Sequence, residues 1–128
     1  MKKGRILIIG RDKDSAYALR NVFELEPHEL ELALTFDVAK TVLKERRIDL
    51  VVIDPQVCLK EDFDLIDFQL DYGLEVPLVL VGGESTGVRR KVRSKGGVKV
   101  HSVPADGFKL IDFVRELERE QEQELVEE

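Results

Sequence analysis

Five short apolar runs, each followed by a stretch with helical spacing, constrain the fold of this chain more than any other feature. The runs occupy residues 6–9, 30–34, 50–53, 78–81 and 98–103. The runs at 50–53 and 78–81 contain no polar residue, which is typical of strands covered on both faces of a parallel sheet. Apolar strands that alternate with amphipathic helices indicate a doubly wound α/β domain. The pattern therefore predicts a five-stranded parallel sheet covered by five helices.

The predicted helices are bounded by their apolar spacing and by capping residues. The first helix is expected over residues 15–25, before Pro27. Its inward side chains are predicted to be Leu19, Val22, Phe23 and Leu25. Thr35 and Asp106 precede later helices and are of the residue types that cap a first turn.

The composition of the chain fits one independently folding domain. Its 128 residues are 43% hydrophobic and 36% charged, with a net charge of −6. This balance is typical of a soluble globular domain and unusual for a nucleic-acid-binding one. Residues 1–120 are predicted to form the domain and residues 121–128 a charged tail. With one cysteine, Cys58, and no apolar run near the roughly 20 residues of a membrane-spanning helix, we expect a cytoplasmic protein.

The candidate site follows from the predicted sheet. In such a fold, ligands bind beyond the carboxyl ends of the strands, where the strand order reverses. The residues at those ends are Gly10, Arg11, Asp54, Gly82, Gly83, Val103 and Pro104. Asp54 supplies the carboxylate of this set. Asp12 follows Arg11 directly and lies just outside the set. The site is therefore centred on Asp54.

Three segments resemble the receiver domain of bacterial response regulators, and the resemblance extends over residues 4–119. Residues 47–54, Arg-Ile-Asp-Leu-Val-Val-Ile-Asp, are similar to the third strand of that family and end at its phospho-accepting aspartate. Residues 35–39 are similar to the start of its second helix, and Val103-Pro104 to the end of its fifth strand. The resemblance implies a flavodoxin-like strand order 2-1-3-4-5, a role in two-component signalling, and Asp54 as the phospho-acceptor position.

The resemblance also implies four partner positions for that aspartate, and this sequence departs from all four. In the family, two acidic residues after the first strand hold Mg²⁺, a hydroxyl residue follows the fourth strand, and a lysine ends the fifth. Together they position and neutralise a phosphoryl group. Here the acidic pair is replaced by Gly10 and Arg11, the hydroxyl by Gly82 and the lysine by Val103. A shift of one residue would bring Asp12 into the pair beside Arg11.

The loss of these groups predicts a degenerate receiver, or pseudo-receiver, that acts through protein contacts and is not an enzyme. Mg²⁺ prefers several hard oxygen ligands, so we expect it to bind poorly, and no other metal or cofactor is predicted. Arg11 is expected either to form a salt bridge with Asp54 or to point into solvent while Asp54 caps the following loop. The alternative function is slow phosphorylation of Asp54 with little metal assistance.

Charge is divided between two predicted helices. The basic side, on and after the fourth helix, includes Arg90, Arg93 and Lys99, and the acidic last helix presents Asp112, Phe113 and Glu116. In receiver domains the surface of helix 4, strand 5 and helix 5 is the usual dimer and output surface, so the resemblance implies a homodimer or a protein partner here. The alternative is a solvated surface, where ion pairs contribute about 0–1 kcal/mol each. The acidic helix disfavours nucleic acid as a partner.

Other motifs are incomplete. Residues 83–87, Gly-Glu-Ser-Thr-Gly, match a nucleophile elbow, but no acidic residue lies between Ser85 and His101 to complete a catalytic triad. Gly82 and Gly87 have phosphate-loop spacing, yet Val88 and Arg89 follow instead of Lys and Ser or Thr. His28 and His101 have no neighbours at metal-binding spacing, and His101 is expected to be structural.

Overall fold

Five parallel strands form one sheet in the order β2-β1-β3-β4-β5. The structure is a computed structural model that describes residues 4–10, 12–54, 67–81, 100–103 and 107–126. The strands are β1 (Arg5–Ile9), β2 (Glu29–Ala33), β3 (Leu50–Ile53), β4 (Leu78–Val81) and β5 (Val100–Val103). All residues of β3 and β4 are buried, because both strands lie inside the sheet and are covered on both faces.

Three helices are described in full: α1 (Lys13–Val22), α2 (Phe36–Glu45) and the C-terminal helix (Gly107–Val126). Residues 67–71 are helical as well. Asp12 caps α1, since its Oδ1 accepts a hydrogen bond from the Ser15 N–H at 2.9 Å, and Thr35 Oγ1 accepts one from the Val38 N–H at 3.1 Å. These bonds satisfy donors that a first helical turn leaves unpaired. None of the described helices combines the length and the apolar composition needed to cross a membrane.

Helices cover both faces of the sheet because successive strand side chains point to opposite faces. One face contacts α2 and the segment around Phe68, and the other contacts α1 and the C-terminal helix. The buried helical residues are Phe36, Ala39 and Leu43 on the first face, and Leu19, Leu110 and Val114 on the second. The apolar burial on the two faces stabilises the layers by roughly 25 cal/mol for each Å² removed from water.

Gln69 fixes the segment that leads into β4. Its fully buried side chain accepts a hydrogen bond from the Val76 N–H at 2.8 Å and donates one to the Val76 carbonyl at 3.2 Å. The Leu74 N–H donates to the Gln69 carbonyl at 2.7 Å. Gly73, with φ of 70°, makes the turn between them in a conformation that favours glycine. The buried amide therefore pairs with the backbone as a neighbouring strand would.

The parallel α/β architecture and the Thr35 cap are confirmed, whereas the bounds of α1 and β2 differ from the prediction, and α1 begins at Lys13 instead of residue 15. α1 ends at Val22, because the Phe23 and Glu24 N–H groups close the last turn on carbonyls of the preceding residues. Leu25 lies beyond that turn and is 97% exposed instead of buried. β2 ends at Ala33, one residue earlier than predicted. The predicted fourth helix, the strand residues 98 and 99 and the Asp106 cap lie outside the described residues, so the number of helices is not tested.

Candidate functional site at the carboxyl edge of the sheet

Asp54 lies where the sequence places it, directly after β3 on the carboxyl edge, the side of the sheet where the strands end. Its backbone N–H donates a hydrogen bond to the Ile9 carbonyl at 2.9 Å, which joins it to the end of β1. The residue is 7% exposed, so it is a buried acidic residue. The sheet itself therefore fixes the backbone of Asp54 in the middle of this edge.

Gly10 leaves no room for a side chain at the end of β1. A Cβ atom built there would lie 2.7 Å from the backbone nitrogen of Ala16 and 2.8 Å from its Cα and Cβ. The Gly10 N–H donates to the Ala33 carbonyl at 3.1 Å, so the chain cannot easily move away. Ala16 is itself buried in the first turns of α1. The space in which the family resemblance would place an acidic side chain is therefore occupied by α1.

Val103 ends β5 as part of the hydrophobic core. Its side chain is 5% exposed and belongs to the same core cluster as Leu110 and Val114 of the C-terminal helix. It pairs in register with Val81 at the end of β4. A lysine here would bring an ammonium group into an apolar environment, which is unfavourable for the charged form. The position therefore contributes packing instead of positive charge.

Asp12 is exposed and caps α1 with one carboxylate oxygen. Within the described ranges, no three histidine, cysteine, aspartate or glutamate residues lie close enough together to hold a metal ion. Gly10 offers no side-chain ligand and Asp12 is engaged by the Ser15 N–H, so the described residues do not fit the carboxylate set that Mg²⁺ prefers.

The architecture matches solved signalling domains over nearly the whole chain. A CheY-like response regulator receiver domain protein from Methanospirillum hungatei JF-1 matches with a TM-score of 0.74 and 22% identity, over 96% of this chain and 99% of that chain. The signal receiver domain of an HD domain-containing protein from Pseudomonas fluorescens Pf-5 matches with a TM-score of 0.75 and 17% identity, over 95% and 99%. The chain has the receiver fold.

The receiver fold by itself does not specify a function. A de novo designed Rossmann 2x3 fold protein also matches, with a TM-score of 0.63 and 20% identity over 91% of this chain and 90% of that chain. No protein-family model matches the chain, and no curated protein does. The function therefore depends on the particular residues that this chain places on the receiver fold.

Several predicted site residues lie outside the described part of the receiver fold. They are Arg11, Cys58, Gly82, Ser85, Arg90, Arg93 and Lys99. The salt bridge between Arg11 and Asp54 and the basic side of the predicted interface therefore stay predictions.

The acidic side of the predicted interface is described. Asp112 and Glu116 are exposed on the C-terminal helix, one turn apart. Phe113 is half-buried, with its ring centroid 5.0 Å from that of His101 on β5. The aromatic contact between helix and strand agrees with a structural role for His101, and the two carboxylates lie on the exposed side of the helix.

Sequence reasoning missed four polar residues that join the α1–β2 connection to the C-terminal helix. His28 Nε2 lies 2.6 Å from Glu118 Oε1, and the Arg115 guanidinium donates to both carboxylate oxygens of Glu26, at 2.8 and 3.1 Å. We call Glu26, His28, Arg115 and Glu118 the clasp. The partners are 90 and 89 residues apart along the chain, so no local pattern could have paired them.

The two pairs of the clasp differ: Glu26 and Arg115 form an ion pair with an exposed guanidinium, whereas His28, which contacts Glu118, is deeply buried. The hydrogen bond from Arg115 to Glu26, and then the attraction between their charges, raises the pKa of the Arg115 guanidinium above its ordinary value. Arg115 therefore stays positively charged around neutral pH. The Glu26 side chain is largely buried beneath it, and His28 is buried more deeply.

Proposed function

We propose that this chain is a receiver-like signalling module that acts through protein contacts and does not depend on phosphoryl transfer. The observation that carries the proposal is the contact between Gly10 and Ala16. A Cβ at Gly10 would meet the backbone of α1 at 2.7 Å, so the position cannot hold a metal-binding carboxylate unless the helix shifts. The proposed unit comprises residues 1–120 with five helices, the tail comprises residues 121–128, and the module acts in the cytoplasm.

Two further residues support this reading. Phosphoryl transfer depends on cations that are positioned around developing negative charge. Val103 is packed in the core at the position where the resemblance implies a lysine. Asp12 uses its carboxylate to hold the first turn of α1. Neither residue offers the phosphoryl group the stabilisation that the chemistry requires.

The alternative function is slow phosphorylation of Asp54. It is favoured by the position of Asp54, which follows a central strand and is held by the Ile9 carbonyl at the carboxyl edge. A carboxylate at that point of the fold can attack a phosphoryl donor if water and a weakly held cation supply what the protein lacks.

Incubation with Mg²⁺ and acetyl phosphate, followed by intact-mass measurement, separates the two functions. A module that acts through contacts keeps its mass, in wild type and in Asp54→Ala alike. A stable gain of one phosphoryl group in wild type that is absent from Asp54→Ala would refute the proposal and establish the alternative. A receiver domain that is known to accept phosphate from the same donor serves as the positive control.

The proposed contact surface lies around Asp112, Phe113 and Glu116. We propose that it pairs with the basic side of a second copy, through Arg90, Arg93 and Lys99, in a two-fold dimer. Sedimentation should then show a dimer that weakens as salt is added, because screening reduces attraction between exposed charges. The double variant Asp112→Lys and Glu116→Lys should be monomeric. A wild-type monomer in low salt at high protein concentration would contradict the dimer.

A further inference from the structure

The α1–β2 connection, residues 23–28, holds the middle of the C-terminal helix at two points. His28 Nε2 lies 2.6 Å from Glu118 Oε1. The Arg115 Nε and Nη2 atoms donate to the two Glu26 oxygens at 2.8 and 3.1 Å. Arg115 and Glu118 are three residues apart on the helix, so both contacts lie on the same side of it. The clasp therefore fixes the helix against one short segment of chain.

His28 makes the clasp dependent on Glu118. The His28 side chain is 2% exposed and its ring lies edge-on to Phe23, with 6.0 Å between centroids. In the part of the chain that the structure describes, His28 Nδ1 is buried without a hydrogen-bond partner. An ionised carboxylate can only accept, so Nε2 donates to Glu118. Without Glu118, both ring nitrogens of His28 would be buried and unsatisfied. This cost favours a state in which residues 23–28 have moved away from the helix and the ring contacts water.

The clasp lies in the middle of the C-terminal helix, beyond its most deeply buried residues. Leu110 and Val114, in the first half of the helix, are buried against the sheet. Arg119 and Glu120, just beyond the clasp, are exposed. The first half of the helix is thus held by fully buried apolar side chains, whereas its middle is held by the clasp and by Leu117, which is only partly buried against the core. A segment with less apolar burial can open locally while the rest of the helix stays folded.

We propose that residues 23–28 are a latch for the C-terminal helix. When the clasp is closed, residues 115–121 stay on the body of the domain. When it opens, those residues are released while the sheet and residues 107–114 remain folded. Leu25, which is 97% exposed and directly precedes Glu26, gives a partner protein direct access to the latch. The latch does not depend on whether Asp54 accepts a phosphoryl group.

Amide hydrogen exchange on the full chain tests the latch. Glu118→Ala removes the hydrogen-bond acceptor of His28 while it preserves helix propensity. Amides of residues 115–121 should then exchange on the order of tenfold faster, because a buried hydrogen bond to a charged group is lost and the segment opens locally. Amides of β1 and β3 should keep their rates. Glu120→Ala removes the same kind of side chain from an exposed position on this helix, and it should leave residues 115–121 unchanged.

Two results would overturn the latch. The first is unchanged exchange of residues 115–121 in Glu118→Ala, and the second is an equal acceleration of β1 and β3, which would mean that the whole domain is destabilised. If Glu118→Ala does not fold, Arg115→Ala opens the other contact from its exposed side. That variant must accelerate the same amides, and wild-type rates in it would also overturn the proposal.

Discussion

The two edges of the sheet are held together by different forces. At the carboxyl edge, Gly10 lies against the backbone of Ala16, and Val103 is packed in the core. At the amino edge, where the strands begin, charged and polar side chains make the described contacts. Asp49 accepts from the Arg5 N–H at 2.9 Å, and the Arg5 guanidinium donates to Glu29 at 2.6 Å.

This difference bears on the function of the fold. A receiver-type reaction needs room and charge at the carboxyl edge, and the described residues there offer close packing around one buried aspartate. The amino edge carries the hydrogen bonds between Gln69 and Val76, and the clasp adds polar contacts between the α1–β2 connection and the C-terminal helix. The contacts of the proposed latch therefore lie at the amino edge, away from Asp54.

The largest expected effect comes from a charge at position 103, and it tests whether that side chain is shielded from water at the carboxyl edge. Val103→Lys should lower the free energy of unfolding by about 4 kcal/mol, because burial of an unpaired charge is among the most destabilising changes. Urea unfolding followed by circular dichroism measures it. Val103→Met adds similar length without charge and should cost much less. Equal stability of the two variants would show that the ammonium group reaches water, and that this edge is open at β5.

The crowding at Gly10 gives the next effect. Gly10→Ala should destabilise the domain by about 3 kcal/mol, since the new methyl group overlaps backbone atoms that cannot rotate away. Gly4→Ala is the matched control at the amino edge. Its Cβ would meet other atoms at 3.6 to 3.8 Å, an ordinary contact distance, and its cost should stay within about 0.5 kcal/mol. Similar losses in both variants would contradict the contrast between the edges.

The sequence predicts the parts of this molecule that depend on local pattern. The apolar runs locate all five strands, because burial on both faces requires several consecutive apolar residues. Thr35 marks the start of α2, because capping depends on the residue type at one position. The position of Asp54 follows from the same runs. Leu25 was placed wrongly because apolar spacing continues past the residue at which the backbone leaves α1. The contact between Gly10 and Ala16 depends on a helix orientation that spacing does not encode.

Gln69→Leu tests the amino edge at β4 and should cost about 2 kcal/mol, because Val76 keeps a partly buried N–H and carbonyl that lose their partners. Thermal unfolding measures the loss. Hydrogen exchange should place it at residues 74–76 before it spreads through the sheet. Wild-type stability in this variant would mean that water replaces the amide, and that the hydrogen bonds between Gln69 and Val76 are not needed to position β4.

The smallest effect separates two roles for Asp12 at the carboxyl edge. Asp12→Ala should lose about 1 kcal/mol of stability, because the Ser15 N–H loses its acceptor, whereas Asp12→Asn should be nearly neutral since asparagine caps helices as well as aspartate does. If Asp12 acts as a cap alone, wild type and Asp12→Asn respond alike when Mg²⁺ is added. A stabilisation by Mg²⁺ that is present in wild type and lost in Asp12→Asn would identify the carboxylate as a ligand. That result would place a Mg²⁺ ligand at the carboxyl edge, and slow phosphorylation of Asp54 would then explain the site better than a function through contacts alone.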